Sequence, residues 1–301
     1  MSDENNNDMS CCASCGIAEN DDTKLKKCTA CYLVRYCSVK CQKEHRSEHK
    51  KECRKRAAEL RDELLFKQPE SSHIGDCPIC SLPLPLDPQK SRMADCCSKV
   101  VCDGCYYANK AREFEGRLQQ SCPFCRESTY KTDEEMEKQR MKRIEANDPV
   151  AMVQQGGLHI MKGEYQSAFE YWTKAAELGH AEAHYQLSVM YYNGHGVEKD
   201  ERKEIYHLEK ACISGHPGAR YNLGCVEWNS GNKERGVKHF IIAATQGHDD
   251  AIEKLMKAFQ KGYVEKEDLT AALRAHKAAV DATKSPQRDK AEEIERRLST
   301  N

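Results

Sequence analysis

The sequence predicts a mainly α-helical protein in which two small α+β modules rich in cysteine precede an α-solenoid of helix-pair repeats. Sixteen of the 18 cysteines lie between Cys11 and Cys125. A pattern of alanine and glycine recurs every 32 to 36 residues from Asp148 onward, which is typical of stacked repeats. Charged residues make up 32% of the chain and aromatic residues 7%, a composition that favours exposed helices over one large core.

The charge balance and the N-terminus narrow the class of protein. Lys and Arg number 47 against 48 for Asp and Glu, so coating of nucleic acid or of an anionic membrane is not expected to be its main task. The first ten residues do not resemble a secretory signal, and no stretch is apolar enough to span a membrane. We therefore expect an intracellular protein, cytoplasmic or nuclear, whose paired cysteines bind metal rather than form disulfides.

Composition shifts along the chain predict the domain boundaries. Two linkers are charged and helical, and Thr132 followed by Glu135 forms a capping box that predicts a helix start in the second of them. The predicted segments are a disordered N-terminus at 1–10, a first zinc module at 11–53, a linker at 54–76, a second zinc module at 77–126, a linker at 127–147, repeats at 148–262, and a C-terminal helix with a polar tail at 263–301.

The first module contains eight candidate metal ligands, which is enough for two tetrahedral zinc sites. Two of the pairs are CxxC turns, where two thiolates can reach one ion. The other two pairs are spaced four residues apart, which places both ligands on one face of a helix. The candidates are Cys12, Cys15, Cys28, Cys31, Cys37, Cys41, His49 and Cys53.

The segment YCSVKCQKEHRSEHKKEC, Tyr36 to Cys53, closely resembles the MYND zinc finger. The resemblance implies two interleaved zinc ions and a module that docks short proline-containing peptides. Cys11 is a spare thiol that could compete with Cys12. The ligand sets implied are Cys12, Cys15, Cys37 and Cys41 for one ion, and Cys28, Cys31, His49 and Cys53 for the other.

The second module contains three clear CxxC pairs and one adjacent pair, Cys96 and Cys97. CPIC at 77–80 and CPFCR at 122–126 resemble a RING finger. The resemblance implies that Cys77, Cys80, Cys102 and Cys105 share one ion, and that Cys96, Cys97, Cys122 and Cys125 share another. Because a RING finger usually separates its two central ligands, either both adjacent cysteines bind or one is replaced, with His73 as a candidate.

The same resemblance raises the possibility of ubiquitin ligase activity. In active RING ligases an apolar residue in the first CxxC holds the ubiquitin-conjugating enzyme, and Ile79 matches that position. A cation after the last cysteine steadies the ubiquitin conjugate, and Arg126 matches it. The alternative is that Ile79 only packs and Arg126 only adds solubility.

The C-terminal half predicts four repeats that start at Asp148, His180, His216 and His248. An alanine follows each start by three residues, where a small side chain lets two helices approach closely. Glycine marks the turns. YYNGHGVEKD at Tyr191 to Asp200 resembles the Sel-one-like repeat, which implies stacked helix pairs that bind proteins. The recurring histidines are expected to cap helices or pack turns. The predicted core is Tyr171, Trp172, Tyr185, Leu187, Tyr206, Leu208, Tyr221, Leu223 and Phe240.

These observations favour a zinc-binding scaffold or adaptor with four zinc ions, whose repeats bind other proteins. The first alternative is a RING-type ubiquitin ligase that uses the repeats to select its substrate. A more distant alternative is a nucleic-acid-associated regulator, suggested by the basic stretch around Lys50 and Arg54. The sequence contains no Walker loop, GxSxG elbow or HExxH pair, so no catalytic residue is predicted.

Overall fold

The computed structural model describes residues 11–128 and 132–299, and helices are more extensive than strands in both stretches. The chain divides between Lys67 and Gln68 into two compact units. The predicted fold class is confirmed: the small sheets lie in the cysteine-rich segments, and helix pairs follow them. Among the described helices, none is both long and apolar enough to cross a membrane. The N-terminal segment predicted to be disordered lies outside the described residues.

The first unit holds the first cysteine-rich module. Strand β1 (Lys26–Lys27) pairs antiparallel with β2 (Arg35–Tyr36), and helices α1 (Val39–Glu44) and α2 (Arg46–Leu65) follow. Helix α1 starts after Ser38 because its hydroxyl accepts the Cys41 backbone N–H at 3.2 Å. Helix α2 begins well before the predicted start at Arg54, so the predicted charged helix is the C-terminal part of a helix that also carries His49 and Cys53.

The second unit begins with the second cysteine-rich module. A 3-10 turn at Pro88–Lys90 leads into the antiparallel hairpin of β3 (Ser91–Ala94) and β4 (Lys99–Cys102). Helix α3 (Asp103–Glu115) follows directly, and α4 (Asp133–Glu145) precedes the repeats. The helix start that this motif predicted is confirmed at α4, where the Thr132 hydroxyl accepts the Glu135 N–H at 3.2 Å.

The repeat array is built from helices that pair along the chain. Its four predicted starts, at Asp148, His180, His216 and His248, are the N-cap residues of alternate helices. The helices are α5 (Pro149–Met161), α6 (Tyr165–Glu177), α7 (Ala181–Asn193), α8 (Glu201–Ile213), α9 (Pro217–Asn229), α10 (Lys233–Thr245), α11 (Asp249–Gln260), α12 (Lys266–Ala282) and α13 (Pro286–Ser299).

The predicted small residues and most of the predicted core are buried. The four alanines, Ala151, Ala183, Ala219 and Ala251, are at most 1% exposed. Trp172, Leu187, Leu208, Leu223 and Phe240 are also buried. Tyr206 was predicted to be core and is 53% exposed, so that prediction is wrong. Its position on α8 faces solvent, where the Lys210 ammonium lies 5.6 Å from the centre of its ring.

The recurring histidines pack repeat against repeat. His216 stacks on Tyr185 of the preceding repeat with ring centroids 4.4 Å apart, and His248 stacks on Tyr221 at 4.9 Å. His216 Nδ1 also accepts the Ala219 N–H at 3.0 Å, as a helix cap does. The prediction of helix capping or turn packing is therefore confirmed at both positions: His216 caps its helix and stacks, whereas His248 stacks without a side-chain cap.

The C-terminal segment from Ser285 forms a second helix rather than only a polar tail. This helix, α13, packs against α3 of the second cysteine-rich module. Ala291 on α13 is 1% exposed, so the helix has a buried face despite its charged sequence. The second cysteine-rich module and the C-terminal helix α13 are therefore in contact, although the whole repeat array separates them in the sequence.

Two neighbouring glycines in α5 test the packing of the first repeat. A Cβ at Gly156 would lie 2.3 Å from Trp172 Nε1, whereas a Cβ at Gly157 meets nothing within 4 Å. We expect Gly156→Ala to destabilise the array by about 1–3 kcal/mol through overpacking. Gly157→Ala should stabilise it by up to about 1 kcal/mol, since alanine is the better helix former. Thermal unfolding followed by circular dichroism checks both, and equal shifts for the two variants would contradict this packing.

Candidate metal centres

The sixteen predicted ligands come together in four groups. Within each group the candidate ligand atoms all lie within 4.8 Å of one another. We name the groups site 1 (Cys12, Cys15, Cys37, Cys41), site 2 (Cys28, Cys31, His49, Cys53), site 3 (Cys77, Cys80, Cys102, Cys105) and site 4 (Cys96, Cys97, Cys122, Cys125). These are the sets that the two family resemblances implied.

Each site takes one pair of ligands from a CxxC turn of the same shape. In each turn the backbone N–H of the residue after the second cysteine donates to the carbonyl of the first cysteine, at 2.8 to 3.0 Å. That following residue has a positive φ of 55° to 73° in all four turns. The donors are Gly16, Tyr32, Ser81 and Arg126. The tight turn places both sulfur atoms on one side of the loop, which is the arrangement that one metal ion needs.

Backbone amides within these turns favour the thiolate form of the first cysteine. Burial alone raises the pKa of the Cys12 thiol, but N–H groups of Cys15 and Cys37 donate to it and lower its pKa to about 6. The same competition between burial and backbone N–H donors lowers the pKa of Cys28 to about 6 and of Cys77 to about 7. A thiolate is the form of cysteine that binds metal.

Helices supply the second pair of ligands at three sites. Cys37 and Cys41 flank the start of α1, and His49 and Cys53 lie one turn apart in α2. At site 3, Cys102 is the N-cap of α3 and Cys105 lies in its first turn. A helix holds such pairs at fixed separation, so it orients two ligands toward the CxxC turn.

The distances between the ligand atoms fit tetrahedral zinc. A Zn–S bond of about 2.3 Å gives tetrahedral edges of about 3.8 Å between sulfur atoms. The Sγ atoms of Cys28 and Cys53 are 3.8 Å apart, and those of Cys80 and Cys102 are also 3.8 Å apart. At site 2 the nitrogen Nε2 of His49 lies 3.1 Å from Cys31 Sγ.

The donor chemistry also fits a divalent cation. Hydrogen bonds between the Cys37 thiol and the neighbouring Cys41 and Cys15 raise the pKa of Cys37 to about 12. Burial and the nearby Cys28 raise the pKa of Cys53 to about 12 in the same way. Crowded thiols cannot all ionise side by side, whereas a dication between them removes that repulsion.

Both adjacent cysteines of the second module reach site 4. The chain turns tightly here, since the N–H groups of Cys97 and Ser98 both donate to the Ala94 carbonyl, at 3.2 and 2.8 Å. The Sγ atoms of Cys96 and Cys125 are 3.3 Å apart, and those of Cys97 and Cys122 are 3.9 Å apart. The structure thus favours the reading in which both adjacent cysteines bind.

His73, the other candidate for that position, lies elsewhere. Its ring stacks on His216 with centroids 4.1 Å apart, and its Nε2 is 3.6 Å from a carboxylate oxygen of Glu182. These three residues also form a compact group. His216 Nδ1 accepts a backbone N–H, so its proton sits on Nε2 and points at Glu182, 3.0 Å away. That tautomer suits a hydrogen-bonded cluster rather than a metal site.

Three further sequence-predicted positions can be placed. Cys11 belongs to none of the metal-binding groups found among the described residues. Ile79 is 43% exposed inside the first CxxC turn of the second module. Arg126 donates from Nη1 to Asn109 Oδ1 of α3 at 2.6 Å. Arg126 is thus engaged within its own module, and its role toward a ubiquitin conjugate stays a prediction.

Two arginines that sequence reasoning missed lie beside the second module. Arg143 of α4 donates to Ser98 Oγ at 2.7 Å and to the Cys96 carbonyl at 3.3 Å. Arg288 of α13 donates to Cys80 Sγ at 3.5 Å. No local sequence signal identifies either residue, because both contacts join segments that are far apart in the chain.

The residue after a CxxC pair provides a test of the turn geometry. Ser81 has a φ of 55°, a conformation that glycine adopts freely and β-branched residues resist. We expect Ser81→Gly to bind zinc at least as tightly as the unaltered protein. Ser81→Val should weaken binding at one site, by about 1–2 kcal/mol, since the turn must then hold a strained residue. Competition with a chromogenic chelator measures both, and equal affinity of the two variants would argue against this turn.

Curated relatives match only part of the chain. Chitin synthase regulatory factor 4 of Schizosaccharomyces pombe is 34% identical over 86 residues, which are 28% of this chain and 14% of that protein. Chitin synthase regulator SKT5 of Saccharomyces cerevisiae is 30% identical over 115 residues, which are 35% of this chain and 16% of that protein. The chain therefore spans about one sixth or less of the length of these relatives.

Solved structures similar to this chain include a Sel1 repeat protein from Oxalobacter formigenes. It is 19% identical with a TM-score of 0.43, and the likeness covers 60% of this chain and 74% of that one. A protective antigen of uropathogenic Escherichia coli with an SLR fold is 20% identical with a TM-score of 0.39. The likeness covers 64% of this chain and 40% of the antigen.

Family models match both halves of the chain. The MYND finger model matches residues 12–53, which begin and end at ligands of sites 1 and 2. The Sel1 repeat model matches residues 150–180, 181–216 and 217–248, which correspond to the first three helix pairs of the array. The chain carries a MYND finger and Sel1 repeats.

Proposed function

We propose that this protein is an adaptor in which four zinc ions fix the shape of the two cysteine-rich modules and the helical repeats bind partner proteins. We call these modules the first finger and the second finger. The observation that carries the proposal is the completeness of the four sites. Each supplies four protein ligands within 4.8 Å of one another. A tetrahedral ion held by four protein ligands has no open position for water or substrate, so its role is structural.

The array offers the surface for partners. A solenoid of stacked helix pairs presents an extended face rather than a closed pocket. Tyr192 is 66% exposed and Tyr206 is 53% exposed on successive helices of the second repeat. Exposed aromatic side chains are common anchors at protein interfaces. The relatives named as chitin synthase regulators also support a role that acts through another protein.

The first finger offers a second surface, which we propose for proline-containing peptides. Tyr32, Leu33 and Val39 are 60%, 45% and 67% exposed although all three are apolar or aromatic. Tyr32 and Leu33 follow the candidate ligand Cys31, and Val39 is the first residue of α1, between the candidate ligands Cys37 and Cys41. Aromatic and aliphatic side chains held rigidly at a surface suit the docking of a proline-rich segment.

Metal content tests the zinc proposal directly. We expect four zinc ions per chain in the unaltered protein. Cys96→Ser should lose one ion, because it removes a ligand from site 4. Cys11→Ser should keep all four, because Cys11 lies outside the four groups. Elemental analysis of the purified proteins measures the counts. Two ions or fewer in the unaltered protein would contradict the proposal of two zinc ions in each finger.

Partner capture tests the adaptor proposal. The compact unit that contains the array starts at Gln68, so residues 68–301 are the fragment to compare with the full chain. We expect this fragment to retain the partners that the array binds, and Tyr192→Ala with Tyr206→Ala to weaken them by more than about 1 kcal/mol. Lys290→Ala, at another exposed position, serves as the control. Partners that bind the full chain equally with both tyrosines removed would place the interface elsewhere.

Ubiquitin transfer is the second candidate function. Ile79 and Phe124 occupy the same position in two equivalent turns, CPIC and CPFC, and are 43% and 41% exposed. Apolar side chains held outward in this way suit a ubiquitin-conjugating enzyme. If the finger is a ligase, Ile79→Ala should lower autoubiquitination several-fold with zinc content unchanged. Ile17→Ala, an exposed apolar residue of the first finger, should have no effect. Absence of transfer by the unaltered protein excludes this function.

A further inference from the structure

The C-terminal helix α13 lies directly against the second finger at site 3. Arg288 is the residue at the centre of this contact. Its guanidinium donates to the Pro83 carbonyl at 2.7 Å, to the Leu82 carbonyl at 3.2 Å, and to Cys80 Sγ at 3.5 Å. It also donates to the Thr283 carbonyl at 2.6 Å, which holds the side chain in place. One arginine therefore joins the end of the chain to the turn that carries a ligand.

The charge of site 3 explains why an arginine stands there. Four thiolates around one Zn²⁺ carry two net negative charges. Cys77 and Cys102 are fully buried and Cys105 is 5% exposed, so solvent reaches this charge only from the side of Cys80. A negative centre buried in this way requires nearby donors and positive charge. Arg288 supplies both, and its planar fork contacts the sulfur and two carbonyls together.

The backbone is shaped for the same close approach. A Cβ at Gly104 in α3 would lie 2.9 Å from Arg288 Cγ, 3.0 Å from the Arg288 backbone nitrogen and 3.1 Å from the Gln287 carbonyl carbon. Gly104 lies between the ligands Cys102 and Cys105. Gly104 lies in the first turn of α3, and the absence of a Cβ there makes room for the first turn of α13.

Contacts at the other end of α13 hold the helix independently of Arg288. Glu295 accepts hydrogen bonds from Arg92 and from the Tyr107 hydroxyl. Glu292 forms an ion pair with Lys90 at 3.5 Å. Because Glu292 lies about one turn and Glu295 about two turns beyond Arg288, removing the Arg288 side chain leaves much of the helix contact intact.

We propose that Arg288 is a positively charged side chain that stabilises zinc site 3 from outside its four ligands, and that docking of α13 on the module slows zinc release from that site. We call this helix the latch. The inference rests on the zinc binding proposed above. Coupling works in both directions, since a helix that stabilises the bound ion must itself be stabilised by that ion. Zinc retention in this finger thus depends on a helix encoded some 200 residues further along the chain.

Zinc release from the full-length protein tests the latch. The protein is loaded with zinc, mixed with excess of a chromogenic chelator, and the release of each ion is followed over time. In Arg288→Ala we expect one of the four ions to leave about 10- to 100-fold faster, because losing a residue behind a metal ligand weakens metal affinity by that factor and the loss is expected in the release rate. Arg288→Lys, which keeps the charge and loses the fork, should fall between. Lys290→Ala, an exposed cation on the same helix, should match the unaltered protein.

A second variant guards against misfolding as the explanation. Gly104→Ala keeps Arg288 and all sixteen ligands but forces α13 away from site 3, and should also speed the release of one ion. Amide exchange of residues 286–299 should rise when zinc is removed from the unaltered protein. A zinc count below four at the outset would defeat the zinc proposal itself. Four ions released from Arg288→Ala at unaltered rates, or all four accelerated together, would overturn the latch.

Discussion

Repulsion between crowded thiolates is the constraint on which both fingers depend. Each of the four sites packs its ligand atoms within 4.8 Å. Hydrogen bonds to neighbouring thiols raise the pKa of Cys37 to about 12, and burial with the nearby Cys28 raises that of Cys53 to about 12, so these thiols do not ionise side by side without a cation. A divalent ion turns this repulsion into attraction. The apolar core of the first finger is small, with Leu25, Val34 and Tyr36 buried among the cysteines. The metal therefore contributes the stability that such a core cannot supply.

The interleaved order of ligands gives each ion a second role. Site 1 joins the turn at 12–15 to the start of α1, and site 2 joins the turn at 28–31 to α2. Sites 3 and 4 alternate along the sequence in the same way. Cys96 and Cys97 of site 4 lie between the two ligand pairs of site 3, and the second pair of site 3 lies between the two pairs of site 4. Each proposed ion would thus close a loop that overlaps the loop closed by its neighbour.

The second finger differs from the first in its surroundings. It lies in the same compact unit as the repeats, with Arg143 of α4 against Ser98 and Arg288 of α13 against Cys80. Helices from both sides of the repeat array in sequence therefore contact it. This arrangement fixes the direction in which the array leaves the finger, which suits an adaptor that must hold partners at a set geometry.

The sequence predicted local features well and distant contacts poorly. Ligand spacing and family resemblance predicted all four groups, since each ligand pair is set by a turn or by one helix. Repeat starts were predicted because alanine and glycine recur at regular intervals, and His216 and its counterparts occupy the N-cap positions of alternate helices. The exposure of Tyr206 depends on which face of α8 meets its neighbours, and the docking of α13 on Gly104 depends on a contact across the array. Neither the exposure of Tyr206 nor the docking of α13 produces a periodic pattern in the sequence.

Zinc K-edge X-ray absorption of the purified, zinc-loaded protein tests the central claim most directly. The four sites together present fifteen sulfur atoms and one histidine nitrogen. The account predicts an average coordination shell of four ligands, almost entirely sulfur, at about 2.3 Å. A shell with a substantial share of oxygen or nitrogen at about 2.0–2.2 Å would contradict it, because that result would mean water or other side chains replace the assigned cysteines.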